Sequence, residues 1–173
     1  MTPLSVRKYR TKTRAHSSMK KSWDFKEETF FGIGIYQPKT GHNIGTLWRT
    51  AYILGASYIF IIDGKYKHQT SDTQKTWSKI PFYKYDNFEH FYSSLPHSTQ
   101  LVGVEMDSKS ESISTFAHPM RAAYLLGAED NGLPQQVIDR CHHLVQLPGK
   151  TSLNVSISGS IVIYDRIQKW ELQ

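Results

Sequence analysis

The stretch Leu147-Pro148-Gly149-Lys150-Thr151-Ser152-Leu153-Asn154-Val155-Ser156 decides the fold class, because it reads as a strand end, a tight loop and a helix start. Pro148 and Gly149 terminate the apolar run 143–147. Thr151, Ser152 and Asn154 offer capping oxygens, and Val155, Gly159, Val162, Ile163, Arg166, Ile167 and Trp170 then recur at helical spacing. A loop between the carboxyl end of a strand and the amino end of a helix leaves backbone N–H groups unpaired. Open α/β sheets bind their ligands in such places.

Working outward, the residues that build such a sheet are present. Residues 30–36 form a short apolar run bounded by Gln37-Pro38 and predict a buried strand. Asn43 then stands where a helix cap is expected. Ile44, Leu47, Trp48, Ala51 and Tyr52 follow on one helical face, and Gly55 sits where a C-terminal glycine belongs. The run 57–63 predicts a second buried strand, so the segment is a strand-helix-strand unit, the signature of a parallel sheet. Gly32 and Gly34 lie inside the first strand without a third glycine, which excludes a dinucleotide fingerprint. Residues 64–79 predict a long polar surface loop with a helical turn near Trp77. Further strands are expected at 82–85, 100–105, 121–126 and 143–147. Helices are expected from Asp86 or Asn87 through Leu95, and from Pro134 through Cys141. The type of the element at 112–116 is open.

Three loops therefore follow strands and precede helices: 37–43, 127–133 and 148–154. In a parallel sheet they open on one edge, where their polar side chains can meet. Their residues carry a family resemblance. Asn43-Ile44-Gly45-Thr46-Leu47-Trp48-Arg49-Thr50-Ala51 comes first, then Gly127-Ala128-Glu129-Asp130-Asn131-Gly132-Leu133. Leu147-Pro148 and Ser152-Leu153-Asn154-Val155-Ser156 with Tyr164-Asp165 complete the set. In order and spacing these resemble the three motifs of the SpoU-type (TrmH-like) RNA ribose methyltransferases of the SPOUT superfamily, over about residues 30–170.

The resemblance implies an α/β fold, mainly a parallel sheet with helices on both faces, with a deep trefoil knot near the C-terminus. It implies S-adenosylmethionine-dependent transfer of a methyl group to a ribose 2′-hydroxyl of tRNA or rRNA, with S-adenosylhomocysteine as product, by a homodimer. By the same likeness Leu126, Gly127, Leu147, Ser152, Leu153 and Asn154 would hold the cofactor, and Arg49, Asn43 and Glu129 would serve the reaction. A guanidinium does not readily lose a proton. Arg49 is therefore expected to fix the ribose and its phosphate and to lower the hydroxyl's pKa, leaving water or a phosphate oxygen to take the proton. Glu129 is expected to neutralise Arg49 or to receive backbone N–H groups.

Charge supports an RNA partner. Of the net +6, residues 1–21 contribute +7 with no acidic residue, so the body is close to neutral. Arg7, Lys8, Arg10, Arg14, Lys20 and Lys21 of this basic extension (residues 1–29) are expected to meet a polyanion, ahead of a methyltransferase domain at 30–173. No apolar run reaches the roughly 18 residues of a membrane span, and a cytoplasmic protein without a membrane partner is expected. The single Cys141 beside His142 and His143 has no second cluster to complete a metal site, and no metal is expected. The competing reading is a non-catalytic RNA-binding SPOUT-like dimer that has lost the cofactor. A nucleotide-phosphate enzyme is disfavoured because no Walker loop occurs.

Overall fold

The computed structural model describes residues 29–66 and 76–171. The basic residues 7–21 and part of the expected long loop lie outside them. Twelve elements follow in chain order: β1 (Phe30–Tyr36), α1 (Gly41–Ile53), β2 (Tyr58–Ile62), a 3-10 turn at Thr76–Ser78, β3 (Phe82–Tyr85) and α2 (Phe88–Ser93). They continue with β4 (Gln100–Val104), β5 (Glu111–Ser112), β6 (Arg121–Leu126), α3 (Gln135–Ile138), β7 (His143–Gln146) and α4 (Val155–Glu171). The strands make one parallel sheet in the order β3-β2-β1-β6-β4-β7-β5.

The alternation of each strand divides the core into two layers. Ile33, Ile35, Ile59, Ile61, Tyr124 and Leu126 face α1 and α4, meeting Leu47, Trp48, Ala51, Val162, Ile163 and Ile167. Tyr58, Phe60, Ile62, Leu101, Ala123 and Leu125 face α2 and α3, meeting Phe88, Phe91, Val137 and Ile138. Strands covered on both sides must be apolar throughout, which is why β1, β2 and β6 are near-continuous apolar runs.

Local chemistry explains most boundaries. Gly55 adopts φ +79°, and its N–H and that of Ala56 bond Tyr52 and Ala51 carbonyls, closing α1 in a Schellman arrangement. Asn87 caps α2 by accepting the His90 N–H at 2.9 Å. The open segment at 112–116 resolves into the two-residue β5 followed by turns. The helix expected through Cys141 stops at Ile138, because Arg140 and Cys141 N–H groups make three-residue turns to Val137 and Ile138 instead. Among the described residues no helix is long and apolar enough to cross a membrane.

Two features set the C-terminal path. β7 is inserted between β4 and β5. α4 then returns beneath residues 113–120 and is bonded to them. Arg166, 1% exposed, donates from Nη1 to the Pro119 carbonyl (2.6 Å) and the Tyr124 hydroxyl (3.0 Å), and from Nη2 to the Met120 carbonyl (2.8 Å). Lys169 donates to the Ile113 and Phe116 carbonyls and pairs with Asp165. His118 bridges the Tyr124 hydroxyl and Asp165 at 2.6 and 2.8 Å. Burial holds His118 down to about 4 even though Asp165 opposes the shift, so the ring is neutral, with Nε2–H donating to Asp165 and Nδ1 accepting from Tyr124.

Candidate active site

Because β1, β6 and β7 are parallel, the loops after them open on the same edge, and their side chains touch. Asn43, in the first turn of α1, donates from Nδ2 to Glu129 at 2.9 Å and to the Thr40 hydroxyl at 2.8 Å. Asn154 donates from Nδ2 to the Asn43 side-chain oxygen at 3.1 Å. Its own Oδ1 accepts the Ser156 N–H at 2.9 Å, the bond that caps α4. The contacts join residues 86 and 111 positions apart, so all three expected loops converge.

One expectation about these residues is corrected and one is narrowed. Thr40, not Asn43, is the residue before the first turn of α1. Asn43 lies three residues further on and is turned back toward Glu129, a partner that local sequence does not reveal. Of the two roles expected of Glu129, it takes the second, receiving backbone N–H groups, and it does not meet Arg49. It takes the Thr40 hydroxyl at 2.6 Å, the Thr40 and Lys39 backbone N–H groups at 3.3 and 3.2 Å, and Asn43. Partial burial alone would push its pKa up, but these bonds outweigh that and bring the carboxyl down to about 2, so it is ionised at neutral pH. Lys39 and Asp130 form an ion pair beside it.

Arg49 follows Asn43 by six residues, which carries it about 9 Å along α1 and about 120° around it. It is exposed and makes no hydrogen bond or ion pair among the described residues. Its neighbour Thr50 receives a bond from Ser160 of α4 at 3.1 Å, placing Arg49 beside the α1–α4 seam. Along that seam Ile53, Ile157, Ile161 and Tyr164 are exposed, Ile157 and Tyr164 by 52% and 57%.

At the convergence is a cavity of about 470 Å³. Leu126, Gly127, Leu147, Ser152, Leu153 and Asn154, the six residues expected to hold a cofactor, all line it, and so does Glu129, whereas Arg49 does not. Gly132 takes φ +62°, and a side chain at Gly127 would meet the backbone of Gly132 at 2.2 Å, so the loop 127–133 must fold tightly on itself. Among the described residues the charged lining is carboxylate only: Glu105, Glu129 and Asp130, with no Lys or Arg. Such a wall suits a cationic ligand and repels a phosphate. Glu105 was not singled out from sequence. The available signal was an acid directly after the apolar run of β4, on the ligand edge of the sheet.

Cys141, His142 and His143 do not act together. Burial pushes the Cys141 thiol up to about 12. His142 accepts the Leu101 N–H through Nδ1 at 2.9 Å, and His143 meets Gln100.

Similarity to known proteins agrees with this geometry. A tRNA (guanosine(18)-2′-O)-methyltransferase, TARBP1 of Mus musculus, is 23% identical over 71% of this chain, which covers 8% of that protein. The 23S rRNA (guanosine-2′-O-)-methyltransferase RlmB of Acinetobacter baylyi is 25% identical over 77% of the chain, and a putative TrmH family tRNA/rRNA methyltransferase of Bacillus subtilis, YacO, 27% over 83%. The chain spans 57% and 60% of the lengths of these last two. Among solved structures, an AdoMet-bound rRNA methyltransferase from Sinorhizobium meliloti superposes with a TM-score of 0.73 at 23% identity, covering 83% of this chain and 57% of that one. The SpoU methyltransferase AviRb of Streptomyces viridochromogenes, in complex with AdoMet, gives 0.74 at 18%, covering 86% and 63%. Residues 31–164, most of the chain, match the model of the SpoU rRNA Methylase family, and the protein belongs to that family.

Proposed function

We propose that this protein transfers a methyl group from S-adenosylmethionine to a ribose 2′-hydroxyl of tRNA or rRNA. One observation carries the reading: the three loops meet in a cavity whose charged lining is purely acidic among the described residues, beside a helix that presents Arg49, which pairs with none of those residues. The volume falls within the few hundred Å³ typical of cofactor sites. Carboxylates fit a cationic sulfonium donor, and the tight glycine loop lets backbone groups approach a flat base. Leu126, Gly127, Leu147, Ser152, Leu153 and Asn154 would hold the donor. When bound, the donor supplies a methyl group already activated by its sulfonium.

The chain's own residues then have to orient the ribose. Arg49 fixes the adjoining phosphate and favours the deprotonated hydroxyl, with water or a phosphate oxygen taking the proton. Asn43 and Glu129 hold the start of α1, and with it the base of the helix that carries Arg49, against the cavity wall.

We further propose a homodimer and a C-terminal trefoil knot. Support for the knot comes from the position of β7 between β4 and β5 and from the bonds that tie α4 to residues 113–120. Support for the dimer comes from the exposed apolar seam Ile53, Ile157, Ile161 and Tyr164. A second copy docked there brings Arg49 to the subunit boundary. RNA is recruited by the basic residues 7–21, in a cytoplasmic setting.

Arg49→Ala is expected to abolish transfer of labelled methyl to RNA while leaving calorimetric binding of the donor intact. Wild-type activity in that variant refutes the role given to Arg49, and absence of any heat with the donor or its demethylated product favours the non-catalytic RNA-binding dimer. Deleting residues 1–21 is expected to weaken RNA binding strongly at low salt and much less at high salt, and to flatten the salt dependence of the affinity. Equal affinities for both chains at both salt concentrations refute the role of the basic segment.

A further inference from the structure

Glu105, directly after β4, lines the cavity and is bonded to β7, to the segment 106–110 that follows it and to the end of the loop 127–133. Its N–H donates to the Val145 carbonyl at 3.0 Å and its carbonyl accepts the Ser110 hydroxyl at 2.8 Å. Its carboxylate accepts the Leu133 N–H on Oε2 at 2.7 Å and the Met106 N–H on Oε1 at 3.0 Å. The bond to Leu133 requires the positive φ and bare Cα of Gly132: a Cβ there would stand 2.5 Å from Glu105 Oε2. Gly132 in turn bonds Ala128 through its N–H at 3.1 Å, folding the loop back on itself. The loop 127–133 is thus held at two places by carboxylates. Glu129, within it, reaches out to the start of α1, and Glu105 reaches in from the sheet to its far end.

We propose that Glu105 is a positioning residue for the methyl donor, which clamps the far end of the loop 127–133 so that the cavity wall is in place before the ligand arrives. The proposal rests on the assignment of the cavity to S-adenosylmethionine. A carboxylate forms stronger bonds to N–H groups than a neutral acceptor does, and it spans both amides at once. Without it the Leu133 N–H loses its partner, the loop samples other arrangements, and binding has to order it. The consequence falls on donor affinity and spares the transfer step at saturating donor.

The test compares full-length wild type, Glu105→Ala and Glu105→Gln by calorimetry with S-adenosylmethionine and S-adenosylhomocysteine, steady-state methyl transfer, and hydrogen exchange at the Leu133 amide. Glu105→Ala is expected to weaken donor binding on the order of tenfold, as loss of a charge-assisted bond implies. Donor KM should rise to match, kcat should stay within about twofold, and the Leu133 amide should exchange faster. Glu105→Gln keeps one acceptor for Leu133, so most of the affinity and protection should return, which also answers the case in which the alanine variant does not fold. Unchanged affinity and protection in both variants overturns the proposal, as does a fall in kcat with donor KM unmoved. If wild type binds neither donor nor product, the assignment of the cavity fails on its own, and the clamp stands or falls on Leu133 exchange: faster in the variants supports it, unchanged overturns it.

Discussion

The two ends of α4 are tied down by polar clusters of opposite character. At its N-terminus, Asn154, Asn43, Thr40 and Glu129 form a half-open network of loop and first-turn residues on the rim of a cavity. Toward its C-terminal half, Arg166, Tyr124, His118, Asp165 and Lys169 form a network around a guanidinium that is 1% exposed and bonded to two carbonyls and a hydroxyl. Both join segments far apart in sequence. The first leaves groups facing solvent and ligand, so its alteration should change what the cavity binds at modest cost in stability. In the second the central guanidinium is fully enclosed and faces no ligand, so its alteration should cost stability first.

The sharpest way to break this comparison is Arg166→Ala. Removing one partner of a buried, charge-assisted network strands the others, and such losses run about 3–5 kcal/mol. Two backbone carbonyls and the Tyr124 hydroxyl lose their donor at once, and Phe31 and Trp170 lose the cation over their rings. Denaturant unfolding at neutral pH should show a drop of that size. A drop no larger than that of Glu129→Gln would erase the distinction between the two clusters.

The next effect is on pH. His118 is held at about 4 by burial, against an ordinary value of 6.5. In the window between these values the unfolded chain binds the extra proton and the folded chain does not, so stability rises with pH there and falls as pH drops from 6.5 toward 4. The shift corresponds to about 3 kcal/mol. Unfolding midpoints measured at pH 7 and pH 5 should separate in wild type and converge in His118→Gln. Identical separations in both proteins would show that the ring is not the titrating group.

The clusters also differ in how far they could be read from the sequence. The rim was largely legible: Asn154 stands before an apolar helical pattern, and three loops between strands and helices have to share an edge once the sheet is parallel. What local sequence could not show was that Asn43 turns away from capping, because its partner Glu129 is 86 residues distant. Glu105 escaped because a single acid after a strand looks like any loop residue until Gly132 makes room for it. The buried cluster left one trace, an arginine in phase with Val162, Ile163 and Ile167 on the apolar face of α4. Its partners lie at 113–120, of which the sequence left the type of 112–116 open and assigned no element to 117–120. The insertion of β6 and β7 between earlier strands is set by long-range pairing, to which periodicity is blind.

The smallest expected effect sharpens the comparison from the other side. The bonds from Thr40, Asn43 and Lys39 bring Glu129 down to about 2, below the ordinary 4.5. A depressed carboxylate contributes stability that is fully present above its ordinary value and is lost as pH falls from 4.5 toward 2. Glu129 is half-open to solvent, so screening reduces the contribution to about 1 kcal/mol. Glu129→Gln should therefore destabilise the protein by about that amount at pH 7, one third or less of the Arg166→Ala effect. The gap to wild type should close as pH approaches 2. Donor affinity, measured at pH 7, should fall in the same variant, because the loop start and α1 lose their shared acceptor while the core is untouched. A stability loss as large as that of Arg166→Ala, with donor affinity unchanged, would make Glu129 part of the fold's lock and would move the boundary between the two clusters to the far side of the cavity rim.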